Sequence, residues 1–349
     1  MSAPAASMGR RDRPDSIGRQ ESGEIRMGAR IGLKDVALRA GVSVPTASRV
    51  LSGVQRNVDP ELALRVRNAC EELGYRVNAA ARALRIQSTD SLALVVPAIA
   101  NAYFAELVSA YSRRLDLEGK RLVTIDTGES PETEQRQLGA MDRVLVDAVL
   151  VVPAAFERSG EAITELARSN RVVQVDRRAR GVEAPSVRLD NAAGVRLLVE
   201  HLRARGRRSI LMVDAQEDSS SSIERTAAFR ALAGPDDRVL EMPNFTVASG
   251  TDAARLLLAN PGDTDAIICT ADTVALGLLT ALQHAGKRVP AEYAITSFDG
   301  TYISDTAAPG LTTLGSTAER MVEASLALLD GGSDDVVLTP ELVVRGSSG

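Results

Sequence analysis

Apolar residues recur along this chain in two different rhythms. From Leu33 to Tyr75 they fall at helical spacing in three short runs, and no stretch there alternates as a strand would. The first run, Leu33 to Ala40, stops at Gly41, a residue free to take the positive φ of a tight turn. The second starts behind Ser43, a good N-cap, and reaches Leu51 with Pro45 in its first turn, where a missing N–H costs little. The third has Asp59 as cap and Pro60 at its first position, sets Leu62, Val66, Cys70 and Leu73 on one stripe, and closes at Gly74. Three helices around a very small core are predicted. The next piece, VNAAARALR at 77–85, is helical in character but only nine residues long. Lone helices below about 12–15 residues are marginal in water, so this one needs a partner to fold.

From Ser91 onward, β-rich apolar runs alternate with helical ones. Strands are predicted at 91–96, 121–125, 147–152, 171–175, 208–213, 265–269 and 293–297, with helices between them. Such alternation builds parallel sheets with right-handed crossovers, and runs nearly continuous in Val, Leu and Ile suit strands covered on both faces. The span is large for one doubly wound sheet, which favours two similar lobes with a cleft between them. Residues 1–29, rich in Ser, Gly, Pro, Ala and Arg, show neither period and read as an extension. The expected organisation is therefore an extension at 1–29, a helical head at 30–76, a hinge helix and linker at 77–90, and a two-lobed core at 91–349.

Composition narrows the function. Of 349 residues, 44% are hydrophobic and 25% charged, the ordinary balance of a packed protein. No run approaches the ~18 apolar residues of a membrane span and no apolar leader opens the chain, so a cytoplasmic protein with no membrane partner is expected. The two cysteines, Cys70 and Cys269, lie far apart in no ligand spacing; both are expected to be buried apolar residues, and no metal or other cofactor is expected. The chain lacks the GxxxxGK[ST], GxGxxG and HExxH patterns, which leaves an enzyme with little to stand on. Net charge is −5, yet residues 30–86 hold ten Lys and Arg against five Asp and Glu. A basic head before an acidic body is what phosphate binding by the head would require.

The segment LKDVALRAGVSVPTASRV has a helix-turn-helix pattern for physical reasons. Ala37 is small where the helices cross, Gly41 makes the turn, and Val42, Ala47 and Val50 fill the junction. The outer side of the second helix then presents Val44, Pro45, Thr46, Ser48 and Arg49, one turn of groups that could enter a major groove. Arg49 can pair bidentately with guanine, worth ~1–3 kcal/mol of discrimination. Thr46 and Ser48 suit phosphate oxygens, and Val44 and Pro45 suit thymine methyls.

In the core, aspartate follows strand after strand: Asp126, Asp176, Asp190, Asp214, Asp272 and Asp299. Ligands of open α/β sheets sit beyond those strand ends, and carboxylates accept hydrogen bonds in pairs, as a polyhydroxylated ligand needs. Capping the next helix is an equally physical role for each.

Taken in order, KDVALRAGVSVPTASRVLSG, VDPELALRVRNACEELGY and VNAAARALR resemble the LacI/GalR family of transcriptional repressors, over roughly residues 32–348. The resemblance implies an N-terminal all-α helix-turn-helix head of the lambda-repressor-like type. Behind it would come an α/β periplasmic-binding-protein-like body of two doubly wound parallel-sheet lobes. Ser43 and Asn57 join the expected DNA contacts. The family's hinge helix pairs with its dimer mate in the minor groove and wedges a leucine into a base step; here that is Leu84, flanked by Asn78, Ala81 and Arg82. AYFAELV, VDRRARG, LDNAAG, SSIERTAAF, ADTVALG and SFDGTYI are similar to the family's core. Carried over by motif, the effector residues are Tyr103, Phe104, Asp176, Ser221, Arg225, Phe245, Asp272 and Asp299, with Arg225 and Asp299 expected to face each other from opposite walls. Departures are Ala63, where an arginine is common, Ala271, where Asn or Gly is common, and the four serines at 219–222. The implied partners are a near-palindromic double-stranded DNA operator, a second copy of the chain as homodimer, and a small polar effector, a sugar by family precedent, that controls operator affinity through order in the hinge.

Overall fold

The computed structural model describes residues 31–51, 59–75, 88–141, 146–215 and 218–349. The chain forms two compact units, Met1–Asn78 and Ala79–Gly349. The first holds α1 (Leu33–Ala40), α2 (Val44–Leu51) and α3 (Pro60–Leu73), where the spacing predicts them. Gly41 ends α1 at φ 63, and Arg65 of α3 donates from Nη2 to the carbonyl of Ala40, satisfying the exposed end of that helix. A β-carbon on residue 41 would strike that guanidinium, so turn and brace are fitted to each other. Ser43 Oγ accepts from Thr46 N at 3.3 Å and Asp59 Oδ1 from Glu61 N at 2.9 Å, so both expected caps are made. Small residues let the helices approach: Val36, Ala37, Ala40, Ala47, Val66 and Ala69 form the core. Cys70, expected inside, is only partly buried, because a core this small leaves it on the rim.

The second unit opens with β1 (Ser91–Val96), β2 (Arg121–Asp126), β3 (Ala148–Val151), β4 (Arg171–Val175) and β5 (Ser186–Leu189). They are connected by α4 (Ala102–Asp116), α5 (Pro131–Gly139) and α6 (Gly160–Ala167). The chain then leaves this lobe through α7 (Asn191–Ala204) and builds a second sheet from β6 (Ile210–Ala215), β7 (Arg238–Met242), β8 (Ala266–Cys269) and β9 (Ala294–Thr296). Its helices are α8 (Ser220–Leu232), α9 (Val247–Ala259), α10 (Asp272–His284) and the short α11 (Tyr302–Thr306). After β10 (Thr313–Leu314) the chain returns to the first lobe for α12 (Ala318–Leu329) and β11 (Val336–Leu338), and ends in β12 (Leu342–Val343), antiparallel to β10. Strand order is β11-β5-β4-β3-β1-β2 in the first sheet and β7-β6-β8-β9 in the second, and every neighbouring pair in both is parallel. No helix among the described residues is long and apolar enough to cross a membrane.

The sequence pattern located β1 to β4, β6, β8 and β9 but not β5, β7, β10, β11 or β12. Of the missed strands, β10, β11 and β12 span only two or three residues, and β7, at a sheet edge, carries Arg238 and the exposed Glu241, which break its apolar run. The last residues are also built in. Ile295 N donates to Ser347 O at 2.8 Å, Thr312 N to Ser347 Oγ at 2.8 Å, and Ser348 Oγ lies 2.7 Å from His201 Nε2.

Helices α9 and α10 meet through two glycines. A β-carbon on Gly250 would lie 2.0 Å from Val274 O, and one on Gly277 would lie 2.0 Å from Val247 O. Alanine is worth about 1 kcal/mol over glycine in a free helix, but here it must push two helix backbones apart, typically a cost of roughly 1–3 kcal/mol or more. Gly277→Ala is therefore expected to lower the midpoint of urea unfolding despite its better helix propensity; an unchanged or raised midpoint would show that the crossing can relax.

Candidate functional site

The carboxyl ends of both sheets open onto one cleft. In its first wall, Asn101 caps α4 by accepting from Tyr103 N at 3.0 Å, which sets Tyr103 and Phe104 at the rim of the helix start. The Tyr103 hydroxyl donates to Asp176 Oδ1 at 2.9 Å. Burial, reinforced by the Asp176 carboxylate, pushes the Tyr103 hydroxyl well above the ordinary phenol range, so it stays a donor. Asp176 follows β4 with φ 65, the left-handed region that non-glycine residues seldom occupy, and its N–H is tied to Val187 O at 2.7 Å. Beside it Arg177, 4% exposed, places its guanidinium 5.4 Å from the Phe104 ring and 3.9 Å from the Asp176 carboxylate.

The second wall is built around Arg225 on α8. Its Nε donates to Asn191 Oδ1 at 2.8 Å and its Nη1 to Thr270 O at 2.9 Å, and the guanidinium lies 4.1 Å from the centre of the Phe298 ring. Asp299, just beyond β9, accepts from Asp272 N at 3.0 Å. Its carboxyl is pushed up to about 7, first by burial and then by the Asp272 charge, against the pull of Arg225. A carboxyl that titrates near neutrality can donate or accept. Interleaved guanidiniums, carboxyls, hydroxyls and aromatic faces suit a small polar molecule with many hydrogen-bonding groups.

Tyr103, Phe104, Asp176, Ser221, Arg225, Phe245 and Asp299 all line this cleft; Asp272 does not. Asp272 is wholly buried behind the wall, where its carboxylate accepts from Ser297 Oγ at 2.5 Å, Thr301 N at 2.7 Å and Thr301 Oγ1 at 2.8 Å. With its lone pairs committed, it supports Asp299 instead of facing a ligand. A second correction concerns the expected clamp: Arg225 and Asp299 both belong to the second lobe, and the opposing wall is Asp176 with Arg177. Of the other strand-end aspartates, Asp190 caps α7 through Ala193 N at 2.9 Å and Asp214 ties down Ser222, Thr226 and Thr270. Asn101, Arg177, Thr270, Phe298 and Thr317 also line the cleft and were not anticipated. Adjacency was the available signal, since Arg177 and Phe298 sit beside Asp176 and Asp299 on the same rims.

In the head, α2 exposes Ser43, Val44, Pro45 and Arg49 and half-buries Thr46 and Ser48, while Ala47 packs inward. Ser43 Oγ lies 2.8 Å from Thr46 Oγ1 as well as capping the helix, so that hydroxyl already has local work. Asn57, Asn78, Ala81, Arg82 and Leu84, the hinge segment 77–85 and the extension 1–29 lie outside the described residues.

Residues 32–78 match the model of bacterial regulatory proteins of the lacI family, and residues 89–327 that of periplasmic binding proteins and the sugar binding domain of the LacI family. The chain belongs to the LacI family. It is 31% identical over 311 residues to the HTH-type transcriptional regulator AscG of Escherichia coli, covering 85% of this chain and 92% of that protein. It is 28% identical over 328 residues to the HTH-type transcriptional repressor PurR of Mannheimia succiniciproducens, covering 90% and 98%. A solved Lac repressor dimer bound to operator and the anti-inducer ONPF superposes with a TM-score of 0.81 at 23% identity, covering 92% of this chain and 99% of that one, a likeness of fold. The cellobiose complex of the transcriptional regulator CelR is 27% identical with a TM-score of 0.64, covering 91% and 100%. This LacI-family chain is accordingly a DNA-binding transcriptional regulator, as its relatives are, and not an enzyme.

The Asp299 carboxyl carries a pH signature. A value raised from 3.8 to about 7 means that the folded regulator holds this proton more tightly than the unfolded chain does. The stability it contributes is full below the unfolded value and is lost as pH rises through about 7. Asp299→Asn keeps an acceptor for Asp272 N without the charge, so its melting temperature relative to the parent is expected to rise between pH 5 and pH 8. A flat difference across that range would place the carboxyl in an ordinary solvated setting.

Proposed function

We propose that this regulator acts as a homodimeric repressor that reads a near-palindromic operator with α2 and releases or grips it according to a small polyhydroxylated effector, most simply a sugar, held in the cleft. The observation that carries the effector assignment is the pairing of walls: Asp176 and Arg177 from one lobe face Arg225 and Asp299 from the other across a single opening. A ligand spanning them bonds to both lobes and so favours one relative setting of the two, which is the differential affinity any ligand-driven switch needs. The cellobiose complex of CelR and the matching sugar-binding family model support a sugar. The hinge segment 77–85 is the proposed link to DNA: too short to stay helical alone, it orders when its dimer mate is close and then inserts Leu84. The effector residues are Tyr103, Phe104, Asp176, Arg177, Ser221, Arg225, Phe245 and Asp299. The DNA contacts are Ser43, Val44, Pro45, Thr46, Ser48, Arg49 and Asn57, with Asn78, Ala81, Arg82 and Leu84 in the hinge. Linkage is reciprocal, so operator DNA changes effector affinity by the factor with which effector changes operator affinity.

A thermal-shift screen of the full chain against ribose, hexoses, cellobiose, sugar phosphates and nucleosides is expected to yield a ligand that raises the melting temperature. Arg225→Ala should abolish that rise or require roughly tenfold to a hundredfold more ligand, the equivalent of losing hydrogen bonds from a charged group. No response to any sugar would end the sugar reading, and an undiminished response in the variant would move the site elsewhere. For the head, Arg49→Ala is expected to cost ~1–3 kcal/mol of discrimination at one base pair per half-site, read by selecting and sequencing bound duplexes. An identical selected motif would remove Arg49 from base reading, and selection that returns no motif at all would make the head a non-specific binder.

A further inference from the structure

One carboxylate outside the cleft lining joins the two lobes. Glu224 lies on α8 of the second lobe, and its Oε1 accepts from both Nε and Nη2 of Arg178 at 3.3 Å. Arg178 belongs to the first lobe, two residues after the strained Asp176, and its backbone N–H is also held across the gap by Ser220 Oγ at 2.9 Å. The other oxygen, Oε2, accepts from Asn191 Nδ2 at 2.9 Å and lies 3.9 Å from Nη1 of Arg188, on β5 of the first lobe. Asn191, the first residue of the crossover helix α7, turns its remaining amide oxygen to Arg225 Nε at 2.8 Å. An unbroken polar path therefore runs from Arg178 through Glu224 and Asn191 to the guanidinium that faces the cleft.

The charge arrangement gives the path a direction. Arg178 and Arg188 both come from the first lobe, and the Glu224 side chain that answers them is only 23% exposed, less than the 45% of Arg178. Separating the lobes would leave two like charges without their shared partner and would free the Asn191 amide to turn. Losing that amide would in turn release one of the two hydrogen bonds that aim Arg225. Charge-assisted bonds of this kind are directional, so lobe setting and the aim of Arg225 change together.

We propose that Glu224 is the positioning residue of the cleft: it clasps the first lobe through Arg178 and Arg188 and orients Arg225 through Asn191. The proposal rests on the reading of the cleft as the effector site, and it extends that reading by naming the side chain through which occupancy and lobe closure are linked.

The test is amide hydrogen exchange on the full chain with no effector present, comparing Glu224→Gln and Glu224→Arg. Glu224→Gln is expected to speed exchange in 176–181 and in the first turn of α7 by roughly two- to fivefold, the scale of a partly exposed ion pair, and Glu224→Arg by more. Exchange in β6 at 210–215 should stay as in the parent. Unchanged exchange in 176–181 for both single variants overturns the clasp. So does a parallel rise in β6, which marks general loosening of the second lobe. Glu224→Gln keeps the shape of the side chain and carries the test should the charge reversal fail to fold. Because no ligand enters this measurement, a clasp that behaves as expected together with a sugar screen that finds nothing would refute the effector assignment and leave the clasp standing.

Discussion

A guanidinium withdrawn from water must find its hydrogen-bond partners inside the protein, or the burial costs several kcal/mol. Arg225, 8% exposed, meets that requirement with groups that are far apart in sequence: Asn191 at the crossover, Thr270 beyond β8 and the Phe298 ring beyond β9. Only the strand order of the second sheet brings those ends side by side. Asp299 then sits close enough to Arg225 to feel its charge, while Asp272 behind it both donates a backbone N–H and opposes full ionisation. The fold of the second lobe and the chemistry of the cleft are thus one problem, because moving any of these strand ends strands a buried charge.

The head solves a different problem with less material. Its core is made largely of alanine and valine, which buries little apolar area but lets helices come close. What the core lacks is supplied at helix ends: Ser43 and Asp59 cap N-termini, and Arg65 reaches over to the last carbonyl of α1. Arg65 fixes the end of α1 against α3, while Ser43 and Asp59 each close the start of their own helix.

The sequence was most legible where local chemistry and tertiary structure agree. Gly41, Ser43, Asp59, Pro60 and Gly74 mark helix ends by their own backbone preferences, and all three head helices lie where those residues place them. The nearly continuous Val, Leu, Ile and Ala runs of β1, β3 and β8 were visible for the same reason. Strand-end aspartates were visible as a set but not individually: Asp176 and Asp299 face the cleft, Asp190 caps a helix, and Asp214 and Asp272 brace neighbouring loops. No local pattern separates those roles, because each depends on which hydroxyls and amides other strands deliver nearby. Arg177 and Phe298 escaped notice for a related reason, since each acts through a ring or guanidinium contributed by a distant element.

The interleaved path of the chain has a consequence for biosynthesis. Strands β1 to β5 are complete by Leu189, yet their sheet lacks β11 and the helix that covers β4 and β5 until residues 318–338 have been made. A nascent polypeptide leaving the ribosome must therefore carry an unsealed apolar face through the whole synthesis of the intervening lobe, and the second lobe in turn waits for Ser347 and Ser348. Neither lobe corresponds to a continuous stretch that could be cut out and expressed alone, and interrupted translation would release fragments prone to stick to one another or to chaperones.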